Sequence, residues 1–259
     1  SPRRNVQAQL MSVAAPARPL SAPPAHRVRA KETLWRLAAL AFAHPTPEFV
    51  EAIASGAYGD ALGDAWGAVT GRGRARVETG ADFARYEAGY IAAFLHGPTG
   101  KPVASLLAGD HERLLAGLSR PVMMLNIAEF YRAFGLKAAV EDEGKTDEPD
   151  HIAAMAEFMA VLCHLEAKAI TRPTDPSAPR RAQRDFLARF LAPMLEEVDA
   201  GLRGRCPEEL DPVLAGLVQD LGPFARQQIA ELEAVVGPYH DPDAPSPERS
   251  GAAPQNLWG

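Results

Sequence analysis

Apolar residues recur at three- and four-residue intervals along most of this chain, a spacing that predicts helices and almost no strands. Leu34, Leu37, Ala38, Ala41 and Phe42 place a helix over 31–43, stopped at His44-Pro45. Pro47 opens a short helix running to 55, and a third is expected over 60–70. Phe83, Tyr86, Tyr90, Ile91 and Phe94 mark one face of a helix over 82–95, ended by Gly97-Pro98. Further helices are expected from 102 or 110 to 118, over 121–134 with Gly135 closing it, and over 149–169. After a Pro- and Arg-rich break at 171–181 the pattern resumes over 182–201 and 207–236. Kinks are expected at Pro212 and at Gly222-Pro223. Alanine is abundant and β-branched residues are scarce, so the fold class is all-α, a single-domain bundle of about eight to ten helices. The bundle is expected to span 29–236. A flexible Pro/Ala/Arg-rich leader is expected over 1–28, and a disordered tail with five prolines over 237–259.

One stretch is unlike the rest. Residues 148–159 read Glu-Pro-Asp-His-Ile-Ala-Ala-Met-Ala-Glu-Phe-Met. Pro149 supplies the preset φ of a first helical turn, and Glu148 and Asp150 suit the positive end of a helix dipole. The sequence then stays apolar nearly all round through Leu165, which predicts a helix inside the bundle. Ahead of it lies an acidic hinge loop over 141–148. Glu141, Asp142, Glu143, Asp147, Glu148 and Asp150 set six acids there against one base, Lys145.

Charge and cysteine content narrow the function. With 33 acidic and 27 basic residues the net charge is −6, which argues against nucleic acid or an anionic membrane as partner. Cys163 and Cys206 cannot make a disulfide framework or a four-ligand metal site, and Cys163 reads as a buried small hydrophobe. The apolar stretch at 34–43 is broken by Arg36 and is far short of the roughly 20 residues that cross a bilayer. Arg3-Arg4 has the look of an export signal, but four prolines and Arg18 over 13–24 interrupt the apolar helix such a signal needs. A disordered leader, or a start at Met11, is expected instead, with the protein staying in the cytoplasm.

Enzymatic signatures are incomplete. His111-Glu112 begins like a zinc-protease helix, but position 115 is Leu rather than the second His. The run from Gly71 to Arg76 lacks the third glycine of a dinucleotide loop. Gly97-Pro-Thr-Gly-Lys-Pro has Leu95 and Pro102 where a phosphate loop needs Gly and Ser or Thr. No catalytic residue, metal ligand or cofactor is therefore assigned.

Several segments, in order, resemble the TorD/DmsD/NarJ-type redox-enzyme maturation chaperones. The central one is Glu148-Pro-Asp-His-Ile with Glu157-Phe-Met behind it. Thr33-Leu-Trp-Arg-Leu-Ala-Ala-Leu-Ala-Phe-Ala-His-Pro is similar to the family's first helix. Tyr86-Glu-Ala-Gly-Tyr-Ile-Ala-Ala-Phe-Leu-His-Gly-Pro resembles its Tyr-x-x-Leu-Phe-x-Gly-Pro region. Tyr131 followed by Gly135, and Asp185-Phe-Leu-Ala-Arg-Phe-Leu-Ala-Pro-Met-Leu, extend the likeness to about residues 32–235. Phe190 and Met194 stand where a His and a Trp are usual. Met155-Ala156 replaces Glu-Leu, and Leu-Leu-Ala-Gly-Asp at 106–110 replaces a Tyr/Ser-rich segment, so the chain is placed in a divergent NarJ-like branch.

The resemblance implies an all-helical cytoplasmic chaperone, not an enzyme, that binds the apo catalytic subunit of a molybdenum oxidoreductase and its twin-arginine signal peptide. It implies no membrane insertion, and either a monomer or a domain-swapped dimer. The client-binding residues it points to are Glu148, Asp150, His151 and Glu157, the loop acids Asp142, Glu143 and Asp147, and the aromatic face of Tyr86, Tyr90 and Phe94. Each also has a structural reading: Asp150 and His151 as helix caps, the acids as a solvated loop, the aromatics as core. Two other functions stay open. One is an accessory subunit retained in the mature complex. The other is a helical hydrolase or nucleotide-binding enzyme with His151 and Glu157 as acid and base, a pair whose six-residue spacing puts them well off one face of an ideal helix and so counts against it.

Overall fold

The computed structural model describes residues 24–77, 79–80, 82–136 and 148–241. The leader before Pro24, the loop acids Asp142, Glu143 and Asp147, and the tail beyond Asp241 lie outside them. Among the described residues there are helices and turns and no strand, only an isolated antiparallel bridge between Leu107 and His151. The α-helices are α1 (Ala25–Phe42), α2 (Pro47–Ala54), α3 (Ala57–Thr70), α4 (Phe83–Phe94), the single turn α5 (Glu112–Leu115), α6 (Arg120–Ala133), α7 (Ile152–Thr171), α8 (Ser177–Phe186), α9 (Ala192–Leu202) and α10 (Pro212–Val236).

Local chemistry explains most of the boundaries. Thr46 accepts the Phe49 N–H at the start of α2, Asp82 that of Arg85 at α4, and Asp211 that of Val213 at α10. Pro212 begins α10 rather than kinking it, because the first turn has no hydrogen bond to lose there. The same helix runs on through Pro223. α1 starts six residues before the expected position at 31. Val28 is buried, and Arg27 and Lys31 both reach Glu231 of α10, at 2.6 and 2.7 Å.

Two departures from the periodic pattern have physical causes. The helix expected from 102 or 110 to 118 is mostly loop, because its backbone groups pair elsewhere. Val103 and Ala104 donate to the Ala93 carbonyl, and Leu106 O and Ala108 N pair with Ile152 and Asp150. Only a 3-10 turn (Ala108–Asp110) and α5 remain helical. Further on, α8 and α9 form one run joined by a π-helical turn, Leu187–Leu191, in which the Ala192 N–H reaches back to Leu187 O. Pro193 follows at once. Its ring cannot sit in an ordinary turn without striking a preceding carbonyl, and the wider turn makes room.

α7 runs through the middle. α1 lies along it, α3 packs behind α1, and α10 covers α8 and α9. Trp35, Met155, Phe158, Met159, Leu162 and Phe186 are fully buried at this centre. Phe158 and Phe186 meet edge-on with centroids 4.8 Å apart, and Phe190 joins them at 5.6 Å from Phe186. Phe190 and Met194, the positions that depart from the family pattern, are core residues. A buried polar string crosses the same centre. Arg180 meets Glu166 at 2.7 Å, Gln183 donates to Glu166 and accepts from Gln228, and the Trp35 indole donates to Gln228 at 3.0 Å. Burial, together with the Glu166 charge, pushes the Cys163 thiol well above its ordinary range, as expected of an inert core cysteine.

Candidate functional site

The helix after Glu148-Pro149-Asp150-His151 begins at Ile152, not at Pro149, and the two loops that meet there explain the delay. The Ile152 N–H donates to Leu106 O at 2.9 Å and the Ala108 N–H to Asp150 O at 3.0 Å, so residues 150–152 are first stitched to the 106–108 segment. The residue that caps α7 is His151. Its Nδ1 accepts the Ala153 N–H at 3.1 Å, which puts any proton of the neutral ring on Nε2.

Asp150 is fully buried and works behind the groove rather than in it. Its Oδ2 accepts the Gly109 N–H at 2.9 Å and lies 3.4 Å from Arg120 Nε, an ion pair without a hydrogen bond's geometry. Arg120, at the start of α6, also reaches Glu148 at 2.8 Å and Asp110 at 3.7 Å. Partial burial works against its charge, but the carboxylates of Asp150, Glu148 and Asp110 outweigh that and hold its pKa up. Gly109 is required here, since a Cβ would fall 2.3 Å from Arg120 Cγ. Tyr131 completes the support by donating its hydroxyl to Pro149 O at 2.7 Å. Burial, with the negative charges of Asp150 and Glu157 adding to it, pushes that phenol far above its usual range.

In front of this framework lies a groove of about 650 Å³, open to solvent. Phe94, Leu95 and His96 from the end of α4 form one wall, and Ala43 and His44 after α1 form another. Ala153, Ala154 and Glu157 supply the α7 side, with Glu148 and Asp110 at the rim. The small side chains of Ala153 and Ala154 leave room on the α7 side of the groove. His44 meets Glu87 at 3.2 Å and rests edge-on against Tyr90 below it, centroids 5.7 Å apart.

Of the residues singled out by sequence, the structure brings Glu148, His151, Glu157 and Phe94 to one groove. Tyr90 lies beneath it, its hydroxyl donating to Phe42 O, and Tyr86 lies away from it against Phe49; both are buried. His151 and Glu157 share the groove despite their spacing, because the capping residue faces outward ahead of the first turn. Sequence reasoning missed Arg120, Gly109, Asp110 and His44. The signal for Gly109 and Asp110 was the Leu-Leu-Ala-Gly-Asp run at 106–110, whose backbone turns out to be the partner of the Asp-His-Ile motif. Among the described residues no group of three or more His, Cys, Asp or Glu is placed to hold a metal ion, and no helix is long and apolar enough to cross a membrane.

Comparison with known proteins places the chain in a family. A profile of the family described as nitrate reductase delta subunit matches residues 60–200, which include every described groove residue except Ala43 and His44. The dimethyl sulfide dehydrogenase assembly chaperone protein of Rhodovulum sulfidophilum is 52% identical over 243 residues, 92% of this chain and 97% of its own length. The selenate reductase assembly chaperone protein of Thauera selenatis is 36% identical over 57% of this chain and 75% of its own. The perchlorate reductase assembly chaperone protein of Dechloromonas aromatica (strain RCB) is 33% identical over 56% of this chain and 61% of its own. No solved structure matches the chain.

Proposed function

The chain belongs to the nitrate reductase delta subunit family, and from that premise we propose that it is the assembly chaperone of one molybdenum-containing oxidoreductase, binding the apo catalytic subunit and its twin-arginine signal peptide. The observation that carries this is similarity over nearly the full length of a dimethyl sulfide dehydrogenase assembly chaperone. Identity falls to 36% and 33% for the selenate and perchlorate relatives, which favours a client of the dimethyl sulfide dehydrogenase kind.

The groove supplies the means. A twin-arginine peptide is cationic at its start and apolar behind it. Glu148, Glu157 and Asp110 offer carboxylates to the guanidinium forks, while Phe94, Leu95, Leu106 and Leu107 offer apolar wall. The proposed mechanism is occupancy. A chaperone seated on the peptide in the cytoplasm delays export and leaves the client's cofactor pocket accessible until the cofactor is inserted. No turnover is required. His151 Nδ1 is engaged by the Ala153 N–H, which weighs against its use with Glu157 as an acid–base pair.

Co-purification tests the reading. Expressed with its cognate catalytic subunit, the chain is expected to be captured with the cofactor-free precursor and to be absent from the mature enzyme. Recovery at fixed stoichiometry in the mature enzyme would instead identify a retained subunit, and failure to capture the precursor would remove the chaperone reading.

A further inference from the structure

We infer that a basic cleft between the start of α1 and the end of α7 is a second contact for the apo catalytic subunit, taking an acidic segment of its surface while the groove holds the signal peptide. This rests on the reading that the chain binds that subunit. The cleft holds about 480 Å³, and its charged lining is Arg29 and Glu32 from α1 with His164, Lys168 and Arg172 from α7 and its C-terminal cap. The carboxylate of Glu32 is already taken, by Arg36 at 2.8 Å and by His164 at 3.3 Å. Arg29, Lys168 and Arg172 are exposed and have no carboxylate partner among the described residues. Arg27 and Lys31, in the same stretch of α1, are by contrast both paired with Glu231. Lys168 and Arg172 suit the negative end of the α7 dipole, but Arg29 stands near the start of α1, where a cation gains nothing from it. Helix dipoles therefore do not account for the cluster.

The place of the cleft on α7 identifies its occupant. Glu157 of the groove and His164 and Lys168 of the cleft lie within about 20° of one line along the helix, at 100° per residue. The cleft begins about 10 Å beyond Glu157, at about 1.5 Å per residue. A protein seated in the groove therefore reaches the cleft along the same side of α7, meeting carboxylates at one end and free cations at the other. Guanidinium groups pair with carboxylates through a planar fork, so the complement of Arg29 and Arg172 is an acidic segment of that same partner. Nucleic acid fits less well, since three cations on a chain of net charge −6 are far short of a basic stripe.

The test uses the full chain and two partners, the cofactor-free precursor of the cognate catalytic subunit and its isolated signal peptide. In the triple variant Arg29→Gln, Lys168→Gln, Arg172→Gln, affinity for the precursor is expected to fall about tenfold, the scale of three exposed charge pairs, and to depend less on salt. Affinity for the isolated peptide is expected to match the wild type. Arg29→Gln alone gives a smaller loss of the same sign and serves if the triple variant folds poorly. Unchanged precursor affinity overturns the cleft assignment while leaving the groove reading intact. Equal losses for precursor and peptide also overturn it, since the cleft would then act through the groove or the fold. A wild type that binds neither partner removes both readings. Binding of inorganic pyrophosphate to the wild type and not to the variant, with precursor affinity unchanged, overturns the assignment in favour of a small-anion site.

Discussion

Replacing Asp150 by alanine removes the carboxylate that ties the 106–110 segment to the start of α7, and its cost can be worked from its contacts. The Gly109 N–H loses a charged acceptor at 2.9 Å, an interaction worth about 1.5–3 kcal/mol. Breaking a fully buried ion pair from one side costs about 3–5 kcal/mol, but that figure does not apply here. Arg120 is one-third exposed and keeps Glu148 at 2.8 Å and Asp110 at 3.7 Å. Asp150 Oδ1 is also buried with no hydrogen-bond partner among the described residues, so its removal recovers some desolvation. The net loss expected is about 2 kcal/mol, or about 4–8 °C in melting temperature for a domain of this size. Asp150→Asn keeps the shape and an oxygen for Gly109, and about half the loss is expected. His151→Ala removes the α7 cap at a cost of about 0.5–2 kcal/mol. Thermal unfolding by far-UV circular dichroism, with peptide titration on the same samples, reads both quantities. Because Asp150 is wholly shielded from solvent, affinity per folded molecule is expected to survive Asp150→Asn. A variant that melts like the wild type yet loses the peptide would refute this reasoning, since the carboxylate would then have to meet the ligand itself.

Three further outcomes follow from packing elsewhere. Gly89→Ala would place a Cβ 2.1 Å from the Glu209 carbonyl oxygen, so a loss of about 1–3 kcal/mol is expected in denaturant unfolding. Glu166→Ala strands the buried Arg180 guanidinium and leaves Gln183 short of an acceptor, and a loss of about 3–5 kcal/mol is expected in the same measurement. A thiol-reactive dye is expected to label Cys206 in the native protein and Cys163 only after unfolding, read by mass spectrometry; native labelling of Cys163 would contradict its core placement.

The helical class was legible because burial in a bundle writes itself as period. Leu34, Phe42, Tyr86, Tyr90 and Phe158 all lie where their spacing puts them. What spacing could not show was pairing between distant segments. Pro149 and Asp150 have the composition of a helix start, yet α7 begins at Ile152 because Leu106 O and Ala108 N claim the backbone on either side of His151. The same pairing removes the helix expected before residue 118. For the site, Glu148, His151 and Glu157 were recognisable by type and place in the chain. Arg120 was not, because a single Arg ahead of Pro121 looks like any helix start until Asp110, Glu148 and Asp150 are seen around it. Tyr86 was placed with Tyr90 and Phe94 on one helical face, but only the end of α4 reaches the groove.

The most direct test of the groove as the grip on the client is a titration of the cognate signal peptide against wild type and Glu157→Lys, each at two salt concentrations. Glu157 is exposed on the α7 side of the groove, and the melting temperature of the variant, measured on the same samples, separates a loss of fold from a loss of binding. The account predicts that the wild type binds, that its affinity falls as salt rises, and that the variant binds about tenfold or more weakly with a flatter salt response. Equal affinities at both salts would contradict it.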